Sequence, residues 1–125
     1  MSTILLSIKP EYVSEIFNHT KLYEFRKRIP QKPIEKVIVY SSDPVQRVVG
    51  EFEVLDTIKM KPSPLWESTK KAAGITRAKF REYFHGCDVA YAFKIGNTML
   101  YETPKTLKDY GICSAPQSFY YIEEG

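Results

Sequence analysis

A chain of 125 residues with 43% hydrophobic, 14% aromatic and 26% charged content fits one globular domain with a core of its own. The formal charge of +3 permits an anionic partner without demanding one, and no charge block or low-complexity tract occurs. No run approaches the ~20 apolar residues of a membrane span. The apolar stretch Ile4 to Ile8, broken by Ser7 and followed by Lys9-Pro10, is too short for a signal peptide. The expectation is a single cytoplasmic domain over 1–125, with Cys87 and Cys113 as reduced thiols.

Thr3 to Ile8, rich in Ile and Leu, predicts a buried strand. Pro10 suits the first turn of a short helix, with Val13, Ile16 and Phe17 at helical spacing and Asn18-His19-Thr20 as its exit. From Leu22 to Arg26 the rhythm shortens to two residues. Tyr23 and Phe25 share one face, and Leu22, Glu24 and Arg26 share the other. Pro30 and Pro33 open a loop. Lys36 to Ser41 then predicts a central strand and Val48 to Ile58 a longer one, with Gly50 marking a bulge or bend.

Two helices follow. Ser63-Pro64 starts the first, whose inner face is Leu65, Thr69, Ala72 and Ala73 and which Gly74 ends. Thr76 caps the second, which carries Phe80, Tyr83 and Phe84 and stops at Gly86. Val89 to Ile95 and Thr98 to Tyr101 predict two strands joined by a hairpin at Gly96-Asn97. An irregular stretch from Lys105 to Ile112 precedes Pro116 and a last strand, Phe119 to Ile122. This order suits an α+β fold built as a mixed β-barrel, not a repeating βαβ layout.

The chemistry concentrates between the first helix and the strand after it. A turn at Lys21 followed by Glu24 and Arg26 on one strand face brings together an amine, a carboxylate and a guanidinium. Such a group can accept from a base amine, clamp a phosphate, or transfer a proton. The same residue types also describe a solvated face with a cross-strand ion pair worth under ~1 kcal/mol, and on residue types alone that reading is favoured. His85 and Cys87 do not make a metal site, because the chain's two histidines and two cysteines lack zinc-ligand spacing. Trp66, Tyr40 and Tyr121 read as core residues or as stacking platforms for bases. Lys27, Arg28, Lys32 and Lys36 form one basic run. Lys59, Lys61, Lys70, Lys71, Arg77, Lys79 and Arg81 form a second over the predicted helices, and either can supply phosphate contacts.

The stretch from Ser7-Ile8-Lys9-Pro10 to His19-Thr20-Lys21-Leu22-Tyr23-Glu24-Phe25-Arg26 resembles the signature of the ASCH domain, a branch of the PUA-like superfamily. In that signature an opening strand ends in a polar residue and often K-P, and a helix leads to G-x-K-x-x-E-x-R. Pro116-Gln117-Ser118-Phe119-Tyr120-Tyr121 is similar to the P-Q-S-x-x-Y ending of close relatives. The resemblance implies a PUA-like mixed β-barrel with an N-terminal helix and a two-helix insertion. It also implies a cleft at the barrel mouth for RNA or a modified nucleotide, with no cofactor. Lys21 and Arg26 would hold phosphate or carbonyl oxygens and Glu24 would accept from a base edge, with Lys9, Ser41, Gln117 and Ser118 at the rim.

The alternative the family offers is a small hydrolase with Lys21 and Glu24 as the proton-transfer pair. It would be acetylcytidine amidohydrolase-like, acting on a modified nucleoside, or ribonuclease-like, acting on RNA. The amidohydrolase-like relatives pair the lysine with a threonine three residues later, where this chain has Glu24, so Thr20 or Ser41 would have to supply the hydroxyl. His19 stands at the motif's glycine. Either the turn differs or Asn18 takes the left-handed position, with His19 an exposed turn residue.

Overall fold

In the computed structural model, which describes residues 1–123, β1 (Ser2–Ile8) leads through α1 (Pro10–Phe17) to β2 (Tyr23–Arg26) and β3 (Ile34–Ser41). β4 (Arg47–Met60) precedes α2 (Pro62–Thr69) and α3 (Arg77–Tyr83). β5 (Ala90–Lys105) and β6 (Tyr120–Ile122) complete one six-stranded sheet. No helix among the described residues is long and apolar enough to cross a membrane.

The sheet runs β2-β5-β4-β3-β1-β6, with β1 and β3 parallel and the other pairs antiparallel. Its two edges are the four-residue β2 and the three-residue β6, and among the described residues no ladder joins them. The fold is therefore mixed α+β, and its hydrogen-bonding does not close it into the expected barrel. Both edge strands are short, which leaves little backbone to pair further.

β1 and β3 read as nearly continuous apolar runs because both of their faces are covered. On one side Ile4, Leu6, Ile8, Val37 and Val39 pack with Val13 and Ile16 of α1. On the other, Leu5, Ile38 and Tyr40 pack with Tyr101, Leu107 and Tyr110. A third cluster joins Phe25 of β2 to Leu65, Ala73, Phe80 and Phe84 of the helical segment. Full burial of a side chain such as Ile16 or Phe80 contributes about 1.5–3 kcal/mol.

Two sequence expectations change here. Gly96-Asn97 does not turn a hairpin; residues 90–105 form one long strand against β4. The ladder shifts register there, between Phe52 and Val54, so the pair is absorbed as a bulge. Glycine stands at 96 because β4 approaches closely: a Cβ would lie 2.7 Å from Glu53 Oε1 and 2.8 Å from Leu55 Cδ2. His19, and not Asn18, takes the left-handed conformation, with φ of 65° against −87° for Asn18. The residue is exposed, so its ring costs nothing in packing.

Candidate functional site

A cavity of about 470 Å³ opens where α1, β2 and α3 meet the end of β1. Pro10 starts α1 without forfeiting a hydrogen bond, and the helix sets Tyr12 on one wall. After α1 the chain is drawn inward by its own backbone: the Lys21 amide donates to the Glu15 carbonyl at 3.1 Å and the Leu22 amide to the Ala72 carbonyl at 2.9 Å. β2 then lays Glu24, Phe25 and Arg26 along the floor. Lys79, Glu82 and Tyr83 of α3 close the other wall.

Lys21 is only 2% exposed, which is unusual for an amine. Its Nζ donates to the Ala73 carbonyl at 2.8 Å and sits 4.8 Å from the centre of the Phe25 ring and 5.2 Å from that of Tyr12. The ring faces and the carbonyl replace part of the water it has lost. Burial nevertheless pulls its pKa below the ordinary lysine value, while the charges of Glu24 and Glu15 pull it back up.

Glu24 is 5% exposed, and its Oε2 accepts from Arg26 Nη1 at 3.2 Å. Arg26 has two further acceptors: the Ser7 carbonyl of β1 from Nη1 at 3.5 Å, and the Ser118 carbonyl from Nη2 at 3.0 Å. One guanidinium thus links β2 to the segment entering β6, so a side chain bridges the two sheet edges that the backbone leaves unpaired. The Tyr12 and Tyr83 phenols both titrate above the ordinary range because they are partly buried, and at neutral pH they remain neutral donors.

The arrangement is a buried ammonium, a buried carboxylate and a guanidinium at the base of a cleft walled by aromatic rings. It is not a solvated ion-pair face, since both Lys21 and Glu24 lie in the interior, and the pair that forms is between neighbours on one strand.

The ASCH domain family matches residues 6–102 of the chain. The chain belongs to the ASCH domain family. Over 122 residues it is 32% identical to an ATP synthase subunit alpha of Ureaplasma parvum, covering 97% of this chain and 15% of that protein. Over 90 residues it is 29% identical to an ASCH domain-containing ribonuclease of Zymomonas mobilis, covering 71% of this chain and 61% of the relative. The chain therefore spans less than two thirds of either relative's length. The crystal structure of an ASCH protein from Zymomonas mobilis superposes with a TM-score of 0.90 at 24% identity, over 98% of this chain and 89% of that one, so the two share a fold.

Within this ASCH domain, Lys9, Lys21, Glu24 and Arg26 all line this one cavity. Ser118 reaches it only through the carbonyl that Arg26 holds. Ser41 does not line it: the residue is buried in the ladder between Ile8 and Arg47. Gln117 is exposed and lies outside the lining. Thr20 is exposed, with its hydroxyl donating to the Glu15 carbonyl, and the hydroxyl-bearing residues that line the cleft are Ser7, Tyr12 and Tyr83.

Sequence reasoning passed over Tyr12 and Glu82, took Lys79 only as part of a broad basic run and Tyr83 only as a helix-face aromatic, and did not join Lys79, Glu82 and Tyr83 of α3 as a trio. The trio's spacing of three and four was a readable sign of one shared helical face. Of the basic run, Lys27 covers the Tyr83 ring at 4.9 Å and Lys32 the Tyr121 ring at 5.0 Å, while Lys36 pairs with Glu51 at 3.4 Å. Tyr40 is a core residue. Among the described residues no group of three or more His, Cys, Asp or Glu side chains could hold a metal ion.

Proposed function

We propose that this ASCH domain binds single-stranded RNA and seats one nucleotide, plain or modified, in the cleft around Lys21, Glu24 and Arg26. The observation that carries the reading is the buried Lys21 and Glu24 at the base of an aromatic-walled cavity, because buried ionisable groups are costly to keep and, when they line a cleft, mark a functional site. Lys9 and Lys79, on the rim, contact phosphate; Tyr12 and Tyr83 flank the base; the free Oε1 of Glu24 accepts from a base amine. Kinship with a protein described as a ribonuclease supports RNA as the ligand class.

The lowered pKa of Lys21 favours one second reading, RNA cleavage. A lysine that gives up its proton more readily can accept one from a ribose 2′-hydroxyl as that oxygen attacks phosphorus, the 5′-oxygen being the leaving group. Amidohydrolase chemistry is supported less well, since neither Thr20 nor Ser41 reaches the cleft.

The test pairs binding with product formation, using short single-stranded RNAs and acetylated cytidine, on wild type and Glu24→Gln. As a binder, the protein loses modest affinity in the variant, equivalent to about 1–3 kcal/mol for a charged hydrogen bond, and forms no product. Turnover by wild type that falls ~10²-fold or more in Glu24→Gln, with binding intact, makes it an enzyme instead. No binding of any RNA or nucleotide by wild type refutes both.

A further inference from the structure

α3 has two working faces. Lys79, Glu82 and Tyr83 face the cleft, whereas Arg77, Phe80, Arg81 and Phe84 line a second groove of about 250 Å³ shared with Trp66 and Glu67 of α2. The two hollows back onto one aromatic layer. The Trp66 ring lies 5.1 Å from that of Phe80, Phe80 lies 5.0 Å from Phe25, and the Lys21 amine stands 4.8 Å from the centre of the Phe25 ring.

Trp66 is half-buried, with a body fixed against Phe80 and an edge open to the groove. Arg77 and Arg81, four apart on α3, project on the same side and are exposed. Among the described residues neither guanidinium has a hydrogen bond or ion pair. The only carboxylate in the groove, Glu67, is instead taken up by Lys70 at 2.8 Å, although it still feels the charge of Arg77. An indole over an apolar floor, rimmed by two uncommitted guanidinium groups, complements a base with its phosphates.

We propose that this groove is a second nucleotide subsite, which takes a base on Trp66 and its phosphates on Arg77 and Arg81, so that one RNA strand crosses α3 between the two hollows. The inference rests on the RNA reading of the main cleft and extends it. An α-helix with its side chains is about 10–12 Å across, so a ligand reaching both sites must be an oligonucleotide. A mononucleotide fills one hollow at a time, and the main cleft, with the buried carboxylate of Glu24 for its base, takes it first.

Trp66 is the one tryptophan in the chain, so its fluorescence reports on this groove alone. The experiment titrates an end-labelled eight-nucleotide single-stranded RNA and a mononucleotide into wild type and into the Arg77→Gln/Arg81→Gln double variant. It follows anisotropy for the RNA, calorimetry for the mononucleotide, and tryptophan emission for both. Expected are quenching of Trp66 by the octamer but not by the mononucleotide, and about tenfold or greater loss of octamer affinity in the double variant with mononucleotide affinity unchanged. An octamer that binds wild type without changing Trp66 emission, and binds the double variant equally well, overturns the second subsite and leaves the main cleft standing. Wild type that binds neither ligand overturns the RNA reading itself, and the subsite with it.

Discussion

Gly74 lies directly against the stem of Lys21: a Cβ at position 74 would stand 2.5 Å from Lys21 Cγ and 2.9 Å from its Cδ, and the residue's φ is +64°. Glycine both ends the helical segment and leaves room for the buried lysine beneath it. The side chain that characterises the cleft depends on the absence of one elsewhere.

Gly74→Ala therefore combines a left-handed backbone penalty with displacement of Lys21. The expected cost is at least ~2 kcal/mol, read from the urea midpoint, with weaker RNA binding in the fraction that stays folded. A variant with unchanged midpoint and affinity would show that Lys21 is free to move aside.

Arg26→Lys should not substitute for arginine. A single ammonium cannot reach Glu24, the Ser7 carbonyl and the Ser118 carbonyl in the geometry of a planar fork. Loss of charged hydrogen bonds on a part-buried group predicts destabilisation of roughly 1–3 kcal/mol. Amide exchange at Tyr120 to Ile122 should accelerate more than exchange in β3, because Arg26 ties the approach to β6 to the rest of the sheet. Equal acceleration in both strands would mean that Arg26 supports the whole fold and not this edge.

Burial lowers the pKa of Lys21 in the folded state, which sets the sign of a pH effect. The unfolded chain keeps this proton up to the ordinary value of 10.5, whereas the folded chain releases it earlier. Between those two values the unfolded state binds more protons, so this group makes stability rise with pH across that window. Tyr12, Tyr83 and Tyr101 act oppositely from about pH 10 upward, since their folded pKa values are raised. Denaturant unfolding at pH values below 10 reads the lysine before the tyrosines begin to contribute. A Lys21→Met variant should lack that rise, and an identical slope in variant and wild type would contradict it.

Much of this was legible in the residues. The short helix after Pro10, the two strands Ile34–Ser41 and Arg47–Met60 and the helical segment from Pro62 to Tyr83 follow from periodicity and end signals, although the α-helix that starts at Pro62 ends at Thr69, short of the expected Ala73. Lys21, Glu24 and Arg26 line one cavity, and the burial of the first two was not readable. Lys21 is covered by Ala72 and Ala73, some fifty residues on, whose carbonyls take the Leu22 amide and the Lys21 amine. Gly96 misled because a close neighbouring strand selects glycine as strongly as a hairpin does. Ser41 misled because a β-strand end near the cleft still buries its alternate side chains in the sheet.

Salt dependence follows from the cations at the rim. If Lys9, Arg26 and Lys79 of the cleft and Arg77 and Arg81 of the second groove each meet one phosphate, log affinity for single-stranded RNA should fall against log salt with a slope of roughly −3.5. Affinity measured at several potassium chloride concentrations checks this. A flat response would point to a neutral small molecule in the cleft.

A nucleotide seated on Lys21, Glu24 and Arg26 is detected by backbone amide NMR shifts during titration with a mononucleotide. The largest shifts are expected at Lys9, Tyr12, Lys21, Glu24, Arg26 and Tyr83, with little change in the groove between Glu51, Glu53 and Thr98 on the sheet. Shifts confined to that groove, or a spectrum that does not change at saturating nucleotide, would contradict that seating.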